Sequence, residues 1–135
     1  MKSTLKLLAY ILIITTIFVA CSKPVDQKLQ GRWKKVLIDN GDVDCYWEIT
    51  DGNIYVTYPD YPDRVDTGSY KVKRKLLSRY ITIFDIAPSL GFESDINGDW
   101  FIHELNNDYL KVAKGNVGED GKQQGLMQKE FLKVP

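Results

Sequence analysis

Two hydrophobic patterns divide the chain. Residues 7–19 form one apolar run, broken only by Tyr10 and the pair Thr15 and Thr16, and preceded by Lys2 and Lys6. From Leu29 onward the pattern is alternation. Short stretches rich in Val, Ile, Tyr, Phe and Trp recur between turn residues, and no helical period lasts beyond about two turns. The alternation predicts eight strands, near residues 32–38, 45–50, 54–58, 68–74, 79–86, 100–105, 109–113 and 126–134.

Turn chemistry punctuates these strands. Asn40-Gly41 follows the first. Asp51-Gly52 between two apolar runs is a two-residue hairpin signal, because both central residues must take positive φ. Residues 59–66, with Pro59, Pro62, Asp60, Asp63 and Asp66, predict a loop, since proline cannot donate to a ladder. Residues 87–99 are irregular around Pro88, Gly91 and Asn97-Gly98, and residues 106–108 close another hairpin. Residues 115–125, with four glycines, predict a flexible connection. No internal repeat is visible. Eight short strands at hairpin spacing suit an antiparallel up-and-down barrel, which removes sheet edges and leaves room for side chains or one small ligand. A β-sandwich is the alternative architecture.

The apolar N-terminal run is shorter than the roughly 20 residues of a membrane-spanning helix. Its order, basic then apolar then small, is that of a secretory signal peptide. Phe18-Val19-Ala20-Cys21 resembles the lipobox read by lipoprotein signal peptidase. The resemblance implies cleavage after Ala20 and diacylglyceryl transfer to the Cys21 thiol, with acylation of the freed amine. One acyl chain holds a protein weakly and two or three hold it stably, at about 0.8 kcal/mol per buried methylene. The expected organisation is a signal peptide over residues 1–20, a lipidated polar tether over 21–28 containing Pro24, and a barrel domain over 29–135. Ser22 is not the Asp of the best-known inner-membrane retention rule. The implied location is therefore the cell envelope, in the outer membrane, facing periplasm or surface.

Charge and cysteine content narrow the partners. Loss of Lys2 and Lys6 with the signal lowers the basic count from 18 to 16 against 18 acidic residues, a net of about −2 that disfavours nucleic acid. An aromatic content of 12% and an apolar content of 44% suit a folded domain. With Cys21 lipidated, Cys45 is left alone, which rules out a disulfide framework.

Leu29-Gln30-Gly31-Arg32-Trp33 opens the domain. Together with 100–105, 109–112 and the terminal Phe131-Leu132-Lys133-Val134, it resembles the small lipocalin-like lipoproteins of Gram-negative envelopes. The resemblance covers residues 29–134. It implies that Gly31 and Trp33 form the first-strand signature and that a late basic residue, here Lys133 in place of the usual Arg, sits over the signature indole.

Candidate chemistry is sparse, and no catalytic centre, metal or cofactor is expected. A nucleophile pair of Cys45 and His103 is disfavoured because Cys45 shares a buried face with Trp47 and Ile49. Asp95-Ile96-Asn97-Gly98-Asp99 lacks the Gly and Glu of a calcium loop at the required places, so it reads as a turn. Asp60, Asp63 and Asp66 read as loop solvation. Lys71, Lys73, Arg74, Lys75 and Arg79 read first as a solvated strand face and second as a surface for an anionic partner. Strand parity places Trp47, Tyr58, Tyr80 and Trp100 inward, as a wall for a small apolar or amphipathic ligand. The expected function is ligand binding without catalysis by a lipid-anchored monomer. The rival is an interaction module that contacts an envelope protein, glycan or hydrolase through its loops.

Overall fold

The computed structural model describes residues 23–38, 41–89, 93, 95–117 and 121–135. The signal peptide and Cys21 of the sequence reading lie outside these residues. A short helix, α1 (Lys23–Leu29), leads into β1 (Gly31–Lys35), β2 (Tyr46–Thr50), β3 (Asn53–Tyr58), β4 (Tyr61–Lys75), β5 (Ser78–Phe84), β6 (Gly98–Leu105), β7 (Tyr109–Val117) and β8 (Gln123–Val134). Each strand pairs antiparallel with the next, and β8 returns to β1 through Trp33↔Lys133 and Lys35↔Phe131. The sheet is thus the expected closed up-and-down barrel, with no free edge. Its core is drawn from residues 25–131, so the chain from Ser22 onward carries all of the barrel.

The lower end of the barrel holds the start of β1, the Asp51-Gly52 turn, the Leu76-Leu77 turn and residues 106–108. The upper end holds, among the described residues, 36–38, 41–45, 59–60, 85–89, 93, 95–97 and 121–122. Asp51 and Gly52 take φ of 45° and 84°, the pair of positive values that a tight hairpin needs. Asn106 forms its turn by accepting from the backbone N–H of Asp108 and Tyr109 with its side-chain oxygen.

Three expectations are corrected. Residues 61–66 are strand, not loop. Tyr61–Val65 pairs only with β3, and β5 joins β4 from Ser69 onward, so Pro62 interrupts no second ladder and lies beside the irregularity at Thr57/Tyr58. Most of 115–125 is strand as well, because Gly115↔Leu126 and Asn116↔Gly125 continue the β7–β8 ladder. Residues 23–28 are not an extended tether. They belong to α1, whose Val25 and Leu29, four apart, bury one stripe over the lower end, while Asp26 accepts a hydrogen bond from Tyr70 Oη at 2.7 Å.

The two ends are closed by the same local device. At the lower end the Trp33 indole N–H donates to the carbonyl of Leu29 at 2.6 Å, and at the upper end Trp100 donates to Ile96 at 2.7 Å. All four side chains are fully buried. Between each pair lies a glycine, Gly31 or Gly98, both with φ of 124°, which lets the chain reverse from capping segment into strand. A lysine from the neighbouring strand covers each ring. Lys133 Nζ sits 4.9 Å from the Trp33 ring, and Lys114 Nζ 4.8 Å from that of Trp100. Each lysine also donates to the capping segment: Lys133 to the Lys28 carbonyl, Lys114 to those of Asp95 and Asn97.

Truncating the lower device should be expensive. Trp33→Ala in the chain from Ser22 is expected to lose ~3–5 kcal/mol in denaturant melts, the range for deleting a buried aromatic. Gly31→Ala should also destabilise, because a Cβ there would meet Lys133 Cε at 2.7 Å in a backbone conformation that L-residues avoid. A loss for Trp33→Ala below about 1 kcal/mol would contradict this closure.

Candidate functional site at the upper mouth

Lysines set the chemistry of the upper end. Lys35 lies two residues after Trp33 on β1, and Lys129 two before Phe131 on β8, so strand alternation turns both inward. Both are buried. Lys114, two residues after Val112, also turns inward, and burial pulls its pKa below the ordinary lysine value. Three cations therefore converge under the loop that leads into β6.

That loop supplies the counter-charge. Glu93 accepts from Lys35 Nζ at 2.9 Å and from Lys129 Nζ at 2.6 Å, and its side chain is almost fully buried. Asp42 adds a contact to Lys35 at 3.1 Å, and Asp95 stands 3.9 Å from Lys129. Burial works against the Lys35 ammonium. The hydrogen bond and charge of Glu93, helped by Asp42, nevertheless hold its pKa above the ordinary value. Glu93 itself takes φ of 53°, a conformation that non-glycine residues adopt at a cost. Around these groups opens a cavity of about 320 Å³, lined by Lys35, Asp42, Val43, Glu93, Met127 and Lys129 among others.

Below the mouth lies the aromatic core. Trp47 meets Trp100 edge-on at 6.2 Å and packs on Phe131 at 4.4 Å, which are favourable ring arrangements. Trp100 also carries Lys129 at 5.6 Å from its ring. Trp47 Nε1 is buried and has no hydrogen-bond acceptor among the described residues, an omission that ordinarily costs about 1–3 kcal/mol. Tyr58 donates to Asp66 at 2.9 Å, and Asp66 in turn accepts from the Ser89 N–H. Burial, then the adjacent Asp66, raises the Tyr58 pKa.

The sequence-predicted residues separate into two groups. Trp47, Tyr58 and Trp100 are inside and buried, as parity predicts. Tyr80 is outside. On β5 it is Ile81 and Ile83 that face inward, while Tyr80 packs edge-on against Phe101 across the outer surface. Both faces of 80–84 are apolar enough to be buried, and Thr82, between the two Ile residues, marks the outer one. Asp66 is a second correction, because it is buried and bonded rather than a solvated loop residue. Gly31, Trp33 and Lys133 meet at the lower closure. Cys45 and His103 do not meet: Cys45 is fully buried, whereas His103 is exposed and meets Phe101 edge-on. Asn97-Gly98 forms a turn whose Asn97 side chain pairs with both backbone groups of Ile86. Among the described residues, no three His, Cys, Asp or Glu side chains gather as a metal site.

Inward lysines are what the sequence reading missed. A lysine is ordinarily assigned to solvent, and only strict parity with Trp33 and Phe131 would have turned Lys35 and Lys129 inward. No family model, curated protein or solved structure matches the chain.

Cys45 reports the state of the mouth. Burial, with Glu93 adding, pushes its thiol from an ordinary 9.0 up to about 12. A folded pKa above the unfolded one favours the folded state fully below pH 9. That contribution is lost as pH rises from 9 toward about 12. Cys45→Ala is therefore expected to flatten the alkaline fall in stability by about one proton, or ~1.4 kcal/mol per pH unit across that window. Denaturant melts at stepped pH measure this, and parallel wild-type and variant curves would contradict it.

Proposed function

We propose that this chain is a lipid-anchored envelope protein whose lipocalin-like barrel binds a small amphipathic ligand, head first, at the upper mouth. In this reading residues 1–20 direct export, Cys21 carries the acyl chains, and the barrel stands at the outer membrane without catalysing a reaction. The observation that carries the reading is the mouth itself. Two inward lysines, Lys35 and Lys129, share one buried acid, Glu93, that arrives on a loop in a strained conformation, with Asp42 and Asp95 at the margin. An acidic ligand head can replace that carboxylate between Lys35 and Lys129 at little net electrostatic change. The apolar part of the ligand would lie on Val43, Met127 and the core they cover. A cavity of about 320 Å³ is within the range of small-molecule sites. The mutual packing of Trp47, Trp100 and Phe131 favours a site at the mouth over one deep in the barrel.

The test uses the anionic amphiphile cis-parinaric acid and the chain from Ser22. Saturable binding with quenching of indole emission is expected. Lys129→Gln should weaken it about tenfold, the loss of one charge-assisted hydrogen bond. Glu93→Gln, which removes the internal competitor, should tighten it in protein shown by thermal melting to be folded. Absence of saturable binding in both wild type and folded Glu93→Gln would sink the ligand reading and favour a loop-mediated interaction module.

Anchoring is tested separately. In cells fed an alkyne-tagged fatty acid, the full chain should be labelled and Cys21→Ser should not. Equal labelling of the two would refute lipidation at Cys21.

A further inference from the structure

The β4–β5 hairpin breaks two folding rules at its tip. Leu76 and Leu77 are 95% and 90% exposed, and no other large apolar side chain in the described residues approaches that exposure. Leu76 also takes φ of 54° in a two-residue turn, a place where glycine is favoured. Neither leucine contributes to the core. A residue choice that opposes both burial and backbone preference is what a binding site leaves behind.

The flanks of the tip are basic. Lys71, Lys73, Arg74, Lys75 and Arg79 lie within nine residues of sequence, and residues 70–84 contain no acid. One acid faces the group from β6. Asp99 meets Lys73 at 3.5 Å and Lys75 at 3.8 Å, and Thr82 donates to it; together these hold its carboxyl below the usual range. Arg74 donates through Nε to the Leu76 carbonyl and so braces the turn. The balance remains cationic.

Position completes the pattern. The last β3–β4 pair is Asn53↔Ser69, whereas β4 continues to Lys75. Six residues of β4 therefore run past the end of β3, roughly 20 Å at strand rise. They extend at the lower end, where α1 also lies, opposite the charged mouth.

We propose that the Leu76-Leu77 tip inserts into the headgroup region of an anionic phospholipid bilayer, with Lys73, Arg74, Lys75 and Arg79 paired to lipid phosphates. Two apolar side chains ringed by cations match the two-part composition of that surface, apolar below and anionic above. A soluble polyanion would use the cations and leave the leucines in water. The lower end then faces the membrane and the mouth faces away. The inference needs no acyl group on Cys21, so unlipidated protein tests it apart from the anchoring proposal.

The experiment is sedimentation of the chain from Ser22 with large unilamellar vesicles. Partitioning is expected into 1:1 phosphatidylglycerol–phosphatidylcholine vesicles and not into phosphatidylcholine alone, and it should fall with added salt. Leu76→Gly with Leu77→Asn supplies a favoured hairpin turn, so the double variant should melt no lower than wild type while partitioning about tenfold less. A Leu77→Trp variant should show a blue shift in emission on adding the anionic vesicles. Absence of anionic-vesicle binding overturns the proposal. So does binding that the double variant keeps, which would assign the basic residues to a soluble or surface polyanion without insertion.

Discussion

An indole N–H donated to a carbonyl four residues upstream closes the barrel at each end. A barrel removes its edges by closing its sheet, yet it still has two open mouths through which water could reach the core. Here the segment before the strand folds back over the mouth, its Leu29 or Ile96 enters the core, and its carbonyl accepts a hydrogen bond from the indole N–H of Trp33 or Trp100. The indole thus fills the barrel end and satisfies a carbonyl that capping would otherwise bury unpaired. Viewed by strand, β1 with its neighbour β8 at one end corresponds to β6 with its neighbour β7 at the other.

The two closures differ in what surrounds them. At the lower end the capping segment is α1, the covering lysine is Lys133, and the neighbouring interior is apolar. At the upper end the cap is a loop, and Lys35, Lys114 and Lys129 all point into the space beneath it. Placing Ile96 in the core brings Glu93 over those lysines, since the Ile96 N–H donates back to the Glu93 carbonyl. Removing one member of a buried ion cluster is worse than never having it. The loop, the lysines and the Trp100 closure are therefore energetically coupled. That coupling gives the upper mouth a fixed counter-ion, Glu93.

Much of this fold was legible in the sequence because alternation and turn chemistry are local. All eight strands and the Asp51-Gly52 hairpin follow from residues read in order, whereas the meeting of Gly31, Trp33 and Lys133 is what the resemblance implies. Four features did not follow. Leu29-x-Gly31-x-Trp33 recurs as Ile96-x-Gly98-x-Trp100, but a five-residue echo with three changed positions carries no weight until both copies are seen to cap a mouth. The inward lysines contradict the ordinary hydrophobic pattern and depend on Glu93, some 58 and 36 residues away from Lys35 and Lys129 in sequence. Parity with Phe84 and Ile86 reads Tyr80 as inward, whereas the buried positions of β5 are Ile81 and Ile83, and Tyr80 pairs with Phe101 on the outer face. The α1 segment reads as polar because only two of its residues, Val25 and Leu29, bury apolar side chains against the barrel.

The most direct measurement of this account is hydrogen exchange at the indole nitrogens, followed by two-dimensional NMR on ¹⁵N-labelled protein. Trp33 and Trp100 should both exchange only through global unfolding, at rates that track overall stability as denaturant is added. Fast exchange at either ring, while the core amides of β2 and β7 stay protected, would contradict the claim that these two hydrogen bonds close the barrel.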